Sequence, residues 1–358
     1  MKPKILLISN MYPSKKYPAY GIFVKNFLDN LSSNFDFTKI VIKGREESKL
    51  KKLATYTLFF GNIFYSALLK KNDYIYVHYV SLVSVLLYFI LPFIRAKVIL
   101  NFHGTDMIGD FSKFRKTIFF FTKIISKKAN LIVVPSDFFK KKAQEVLGVE
   151  EQKIYVFPSS GVNLELFRPL NKAKHKNKFG FDKKDFVVGM VSSIYEAKGW
   201  KIFLNAVCKL KKDISNLKIL IAGRGIEENE LLSHIKKKNL EDIVIFTGEK
   251  THSELVEVYN ALDVFVFPTM LEESLGLVGL EAMACGVPVV GSKIGGLTDY
   301  IKDDYNGYLF EVENFNDLAL KVLLCKENKK LPQRAIATAS LFSHKVVLEK
   351  LIKKIKSL

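Results

Sequence analysis

Two successive series of short apolar runs, separated by stretches with helical spacing, constrain this chain more than any other feature of its sequence. In the first half the runs are Lys4–Ile8, Ile40–Ile42, Tyr74–His78, Val98–Phe102 and Leu131–Val134. In the second half they are Phe186–Met190, Leu217–Ile221, Ile243–Phe246, Val264–Phe267 and Val287–Val290. Runs this short and this continuously apolar suit strands buried on both faces, as in parallel sheets whose crossovers are helices. Two such series predict an α/β chain of two doubly wound domains. The 358 residues agree, because a single core rarely grows beyond about 250–300 residues.

The break between the domains is expected near Phe167–Phe181. There Asn171–Lys178 is polar, basic and without periodicity, and reads as a solvated linker. The expected domains are therefore residues 1–170 and 171–340. The apolar run Ile5–Ile8 is too short for an export signal and reads as the first buried strand. Cys208, Cys285 and Cys325 are widely spaced, with no CxxC or Cys/His cluster, so neither a zinc site nor a disulfide framework is expected. A reducing cytoplasm follows as the expected location.

The net charge is +19, and the first 170 residues carry most of it. Such a surface attracts nucleic acid, anionic lipid or a phosphorylated ligand, and it is equally ordinary as solubilising lysine. The chain carries no RNP, KH or helix-turn-helix pattern, so nucleic acid is not an expected partner. Val80–Ile94 is almost wholly apolar, but its length and Pro92 make it short for a membrane span, and a core helix is expected. In Phe111–Lys128, cations interleave with Phe and Ile at near-helical spacing. Such a helix can lie on an anionic bilayer; the alternative is a core-facing stripe with solvated lysines.

The richest stretch runs from Phe267 to Val290. A strand leads through a loop into a helix expected to start near Gly276 and stop at Gly286, with Pro288 beyond. Glycines at 276 and 279 allow close approach to the first turn, whose unpaired N–H groups and positive dipole end suit a diphosphate. Glu273 precedes the helix and Glu281 lies inside it. Carboxylates accept paired hydrogen bonds from vicinal hydroxyls. The plainer readings are a dipole-favoured first-turn residue for Glu273 and a solvated helix residue for Glu281. The apolar neighbours of Glu281, Leu280 and Ala282–Ala284, weigh against the second.

This segment resembles the E-x7-E signature of the retaining glycosyltransferases of family 4, within the frame E-S-[FL]-G-L-x-x-L-E-A-M-A-x-G-x-P-V-V. The resemblance implies the GT-B fold, two Rossmann-like domains facing each other across a cleft. It also implies metal-independent transfer from a nucleotide-diphosphate sugar with retention, and no cofactor or metal site; the chain has no DxD motif. By resemblance, Glu281 binds the donor ribose, Glu273 the transferred sugar, and the backbone at Gly276 and Leu277 the diphosphate. Val191–Gly199 resembles the family's V-G-R-L-x-x-x-K-G turn, which makes Lys198 the cation for the leaving diphosphate. Ser193 stands where the family has arginine, and Arg224 is a candidate to compensate.

Leu220–Gly225, with Gly223 and Arg224, resembles the strand ending beside the nucleotide, although a plain turn has the same pattern. Ile245–Gly248 resembles the loop that meets the base, and Pro158–Pro169 the interdomain segment. Asn101–Asp106 resembles the H-G-x-D turn, which implies that His103 is directed to the donor sugar; the plain reading is a turn histidine held by Asp106. Met11–Val24 resembles the first loop, with Gly21 before a helix N-terminus, and the tail 341–358 resembles a last helix returning to the N-terminal domain. The expected acceptor is a glycan, lipid-linked at the inner leaflet, in polysaccharide or cell-envelope assembly. A nucleotide-sugar epimerase of the same shape and a catalytically idle partner subunit are the rival readings.

Overall fold

The computed structural model describes every residue except 19, 45–47, 105 and 108–111. It forms two compact units, Met1–Ser160 with Val347–Leu358, and Gly161–Val346. In the first unit, β1 (Lys4–Tyr12), β2 (Asp36–Lys43), β3 (Tyr74–His78), β4 (Lys97–Asn101), β5 (Leu131–Val134) and β6 (Ile154–Val156) form a parallel sheet in the order β2-β1-β3-β4-β5-β6. Alternate residues feed opposite faces. Leu6, Ile8, Ile75 and Val77 pack with the helices Lys49–Leu69, Val83–Ile90, Lys113–Lys128 and Asp137–Leu147. Ile5, Leu7 and Tyr76 pack with the helix Ile22–Leu31 and with Val347, Leu351 and Ile355 of the last helix, His344–Lys356.

In the second unit, β7 (Phe186–Val191), β8 (Leu217–Ala222), β9 (Val244–Phe246), β10 (Val264–Phe267), β11 (Val289–Ser292) and β12 (Gly307–Phe310) form a second parallel sheet in the order β12-β11-β10-β7-β8-β9. The winding reverses between β7 and β10, and in such sheets the crevice for a ligand opens beyond the carboxyl ends of the strands at that reversal. In the first unit the reversal lies between β1 and β3.

Two segments differ from the sequence expectation. Lys172–Lys178 is a helix of the second unit, capped by the Asn171 side chain on the Lys174 amide, and not a solvated linker. Its Lys176 is 3% exposed. The buried ammonium is tolerated because it donates to Asp185 O and Asp263 Oδ2, each at 2.6 Å. The two units divide between Ser160 and Gly161, ahead of the expected break. In the second segment, Val83, Leu87 and Ile90 are buried, as a core helix requires, but Phe89 and Phe93 are 61% and 72% exposed.

Candidate functional site

The loop after β10 delivers the chain to the helix Leu277–Ala284 through Gly276, which is left-handed (φ 82°, ψ 58°), and no side chain caps the first turn. Glycine is required there on two counts. The conformation is strained for other residues, and a Cβ would lie 2.6 Å from Leu297 Cδ2 and 2.8 Å from Phe267 Cε1. At Gly279 a Cβ would meet the Tyr300 hydroxyl at 2.2 Å, and that hydroxyl donates to Gly276 O at 3.0 Å. The room made by Gly279 is thus occupied by Tyr300 instead of being left open to a ligand. Gly276, Leu277 and Val278 remain half-buried, so the uncapped helix start is not sealed over.

Lys198 follows β7 in a short 3-10 turn, Glu196–Lys198. Gly199 allows that turn to lie against the chain after β10, since a Cβ there would sit 1.8 Å from Pro268 O. The strand reversal brings the β7 and β10 loops together, and the Lys198 ammonium donates to Glu273 Oε1 at 2.6 Å. Each side chain is 17% exposed. Thr269 donates to the same carboxylate oxygen at 3.0 Å. The backbone of Glu273 is fixed by a Gly-Gly turn: Gly296 N donates to Glu273 O at 2.8 Å, and a Cβ on Gly295 would lie 2.6 Å from Glu273 N.

Glu281 is 7% exposed. Burial raises its pKa above the ordinary carboxylate range, opposed by the Tyr259 hydroxyl, which donates to Oε2 at 3.0 Å. Its Oε1 lies 3.8 Å from His252 Nε2. The solvated reading of Glu281 is therefore excluded. One carboxylate oxygen is engaged by a buried phenol, and the other faces a side chain that is 75% exposed.

Gly223 and Gly248 border the same sheet end, where Gly223 N donates to Gly248 O at 2.8 Å. A Cβ on Gly223 (φ 144°) would fall 1.8 Å from Ser192 O, so that glycine is demanded by close packing of the β7 and β8 loops. Gly248 has open space around its Cβ position. Arg224, the candidate to compensate for the missing arginine, has a side chain that is 75% exposed and pairs with Glu249 at 3.4 Å. Ser193 is exposed.

In the first unit, Gly21 (φ 69°) precedes the helix Ile22–Leu31, and a Cβ there would lie 2.5 Å from the Met11 carbonyl carbon. Ala19 of that loop and Thr105 of the H-G-x-D turn lie outside the described residues. His103 follows β4, and its Nε2 lies 3.0 Å from Nδ1 of His78, the last residue of β3. Its ring is flanked by Phe23 at 4.3 Å and stacks on His78 at 5.2 Å. That enclosure pushes the pKa of His103 down to about 3. His78 is lowered as well, by burial first and then by its neighbour's charge. Asp106 holds the His103 backbone N–H at 2.9 Å; the imidazole partner is His78.

Sequence reasoning missed Tyr259, Tyr300, Thr269, His252 and the Gly295-Gly296 turn. The glycine pair after an apolar run was a usable signal of close backbone approach. For the two tyrosines no spacing links them to Glu281 or Gly276, and only the folded sheet does.

Residues 171–341 match the family model of glycosyl transferases group 1, and residues 32–166 that of Glycosyltransferase Family 4. A D-inositol 3-phosphate glycosyltransferase of Segniliparus rotundus is 33% identical over 166 residues, 45% of this chain and 36% of that protein. A glycosyltransferase of Methanocaldococcus jannaschii, described as uncharacterized, is 28% identical over 256 residues, 71% of this chain and 65% of that one. The match spans 36% and 42% of the length of the first two inositol phosphate relatives. Among solved structures, the Anabaena protein HepE in complex with UDP and glucose shares the fold, with a TM-score of 0.74 at 20% identity over 99% of this chain and 100% of that one.

Proposed function

Because the chain belongs to the glycosyltransferases of the GT-B fold, with a Family 4 domain followed by a group 1 domain, we propose that it transfers a sugar from a nucleotide-diphosphate sugar to a hydroxyl of a glycan acceptor, with retention. The observation that carries this reading is the Lys198–Glu273 pair at the strand reversal, beside the uncapped helix start at Gly276. The diphosphate would rest on the first-turn amides at Leu277, and Lys198 would turn from Glu273 to its oxygens, so charge is met without a metal. Glu281, oriented by Tyr259, would accept from the ribose hydroxyls. Glu273, released from Lys198, would accept from a hydroxyl of the transferred sugar. Gly223, Gly248 and Arg224 would border the nucleotide, and His103, held neutral, would act towards the donor sugar as a hydrogen-bonding group instead of a cation.

The bond from the anomeric carbon to the diphosphate oxygen breaks first. The acceptor hydroxyl attacks the same face, and its proton passes to the leaving diphosphate. A thermal-shift screen with UDP-, GDP- and ADP-sugars tests donor binding. UDP-glucose comes first, because UDP and glucose occupy HepE, and inositol phosphates belong among the acceptors tried because of the relatives named for them. Selective stabilisation by one donor is the expected result, and no shift with any of them contradicts the reading. Conversion of the donor into its epimer, without acceptor, would assign an epimerase instead.

A membrane-borne acceptor is supported by the outer face of the first unit. Phe114 and Phe120 are 70% and 59% exposed on the basic helix Lys113–Lys128, and Phe89 and Phe93 are exposed on the helix Val83–Ile90 and the turn after it. The rings of Tyr88, Phe89, Phe120 and Phe121 form one cluster across the two helices. Leu50, Leu53 and Leu58 are exposed on the adjoining helix Lys49–Leu69. Phe111 lies outside the described residues. Among the described residues no helix is long and apolar enough to cross a membrane. Surface binding at the inner leaflet, with aromatic rings inserted and lysines at phosphates, is the arrangement we infer. Co-sedimentation with anionic vesicles that is lost in Phe89→Asp/Phe120→Asp is the expected outcome; equal sedimentation of that variant contradicts it.

A further inference from the structure

The helix that carries Phe114 and Phe120 outward also walls a cavity of about 220 Å3, lined by Tyr79, Leu82, Asp106, Phe114, Ile118 and Phe119 among others. We propose that this cavity is a binding site for one ring of a polyhydroxylated group, a pyranose or cyclitol, with Asp106 as the hydrogen-bond acceptor that recognises a ring hydroxyl. The inference rests on the transferase reading, since it supplies the acceptor's recognised ring.

Asp106 carries the chemistry. It is 7% exposed, and Oδ1 accepts from the His103 amide at 2.9 Å. Oδ2 is buried without a hydrogen-bond partner among the described residues. A buried acceptor left unpaired costs about 1–3 kcal/mol, more if charged, so its persistence at a cavity wall points to a donor supplied from outside. Burial pushes its pKa up to about 6, opposed by the backbone N–H groups of His103, Asp106, Gly104 and Val80 around the turn. A ring hydroxyl supplies the missing donor. A metal ion fits less well, because the cavity wall offers no second carboxylate, histidine or cysteine among the described residues.

Size and lining narrow the ligand further. The cavity is smaller than the roughly 300–1,000 Å3 of pockets that enclose drug-sized ligands, so it has room for one ring and not for a nucleotide. Tyr79, Phe114 and Phe119 offer aromatic surface against which the apolar C–H face of a sugar ring can pack while its hydroxyls turn to Asp106. Leu82 and Ile118 complete an apolar wall. Tyr79 is held with φ 60°, an unfavourable backbone for a tyrosine, which the surrounding structure must impose.

Saturation-transfer NMR with the methyl glycosides of glucose, galactose, mannose and N-acetylglucosamine, and with myo-inositol, tests the site on the full chain. At least one probe should receive saturation on its ring protons, with affinity at least about tenfold weaker in Asp106→Asn, as expected for one hydrogen bond to a charged group. Phe119→Ala, which removes an aromatic wall without touching the turn, should weaken the same probe and serves if Asp106→Asn misfolds. Saturation of no probe, or transfer that survives both substitutions within about twofold, a change too small for such a bond, overturns the proposal. The thermal-shift screen with UDP-, GDP- and ADP-sugars is recorded on the same samples. No shift with any of these donors in the wild type indicts the transferase reading, whereas a donor shift without sugar binding indicts this cavity alone.

Discussion

The two units share one architecture but differ in how their polar groups are partnered. In the second, the lysine and carboxylates of the candidate site are paired internally, Lys198 with Glu273 and Glu281 with Tyr259. In the first, Asn10 Oδ1, His78 Nε2, Asp106 Oδ2 and Ser126 Oγ are buried without partners, and these four are the whole set among the described residues. A self-paired site can hold its geometry before a ligand arrives, and the ligand must displace an internal partner. An unpaired site stores an unmet hydrogen bond that a ligand can satisfy.

The sharpest way to break this contrast is Lys198→Ala. If the ammonium leaves Glu273 for the diphosphate, release of UDP from the accepted donor should fall by about 10²–10³, the usual cost of removing one group that stabilises developing charge. A change under about threefold would show that the pair is only structural.

The next effect concerns packing in the second unit. Gly279→Ala drives a Cβ to within 2.2 Å of the Tyr300 hydroxyl and should cost about 1–3 kcal/mol, read as the urea midpoint followed by Trp200 fluorescence. Gly248→Ala meets no neighbour and carries only the strain of φ 68°, about 1 kcal/mol. Equal losses would mean that the helix start is not packed as described.

A pH series sharpens the other side of the comparison. His78 and His103 are held neutral by enclosure, so below about pH 6.5 the unfolded chain takes two protons that the folded unit refuses. Asp106 works the other way. Its folded pKa is about 6 against 3.8 unfolded, so its stabilising contribution is complete below the unfolded value and is lost as pH rises through 6. Between pH 6 and 4 the folded aspartate therefore offsets one histidine. The first unit should lose stability as pH falls below 6, and lose it more steeply in Asp106→Asn. Hydrogen exchange of β3 and β4 amides at pH 7, 6 and 5 measures it, and a flat profile contradicts the assigned burial. The smallest effect on stability belongs to Arg224→Ala: its exposed pair with Glu249 is worth about 0–1 kcal/mol, so the urea midpoint should barely move.

Most of the fold could be read from the sequence, because parallel strands buried on both faces leave continuous apolar runs, and ten of the twelve strands did so. The sixth strand of each sheet, Ile154–Val156 and Gly307–Phe310, was not picked out, although Val244–Phe246 and Leu131–Val134, no longer than these, were. The helix Lys172–Lys178 was misread because its interior partner, Asp263, lies far along the chain, and a buried lysine looks like a solvated one until that partner is known. Within the candidate site, residues borne on a local frame, Glu273, Gly276, Glu281 and Lys198, could be picked out in advance. Those that act by reaching from one helix to another, Tyr259 onto Glu281 and Tyr300 onto Gly276, could not, since nothing local encodes a contact between helices distant in sequence.

A crystal structure with UDP-glucose probes most directly whether the second unit's strand reversal is where the donor sits. The diphosphate should lie on the amides of Leu277 and Val278 with the Lys198 ammonium turned onto it, and a ribose hydroxyl should lie within hydrogen-bonding distance of Glu281. A nucleotide bound elsewhere, with the Lys198–Glu273 pair intact at saturating donor, would contradict the assignment.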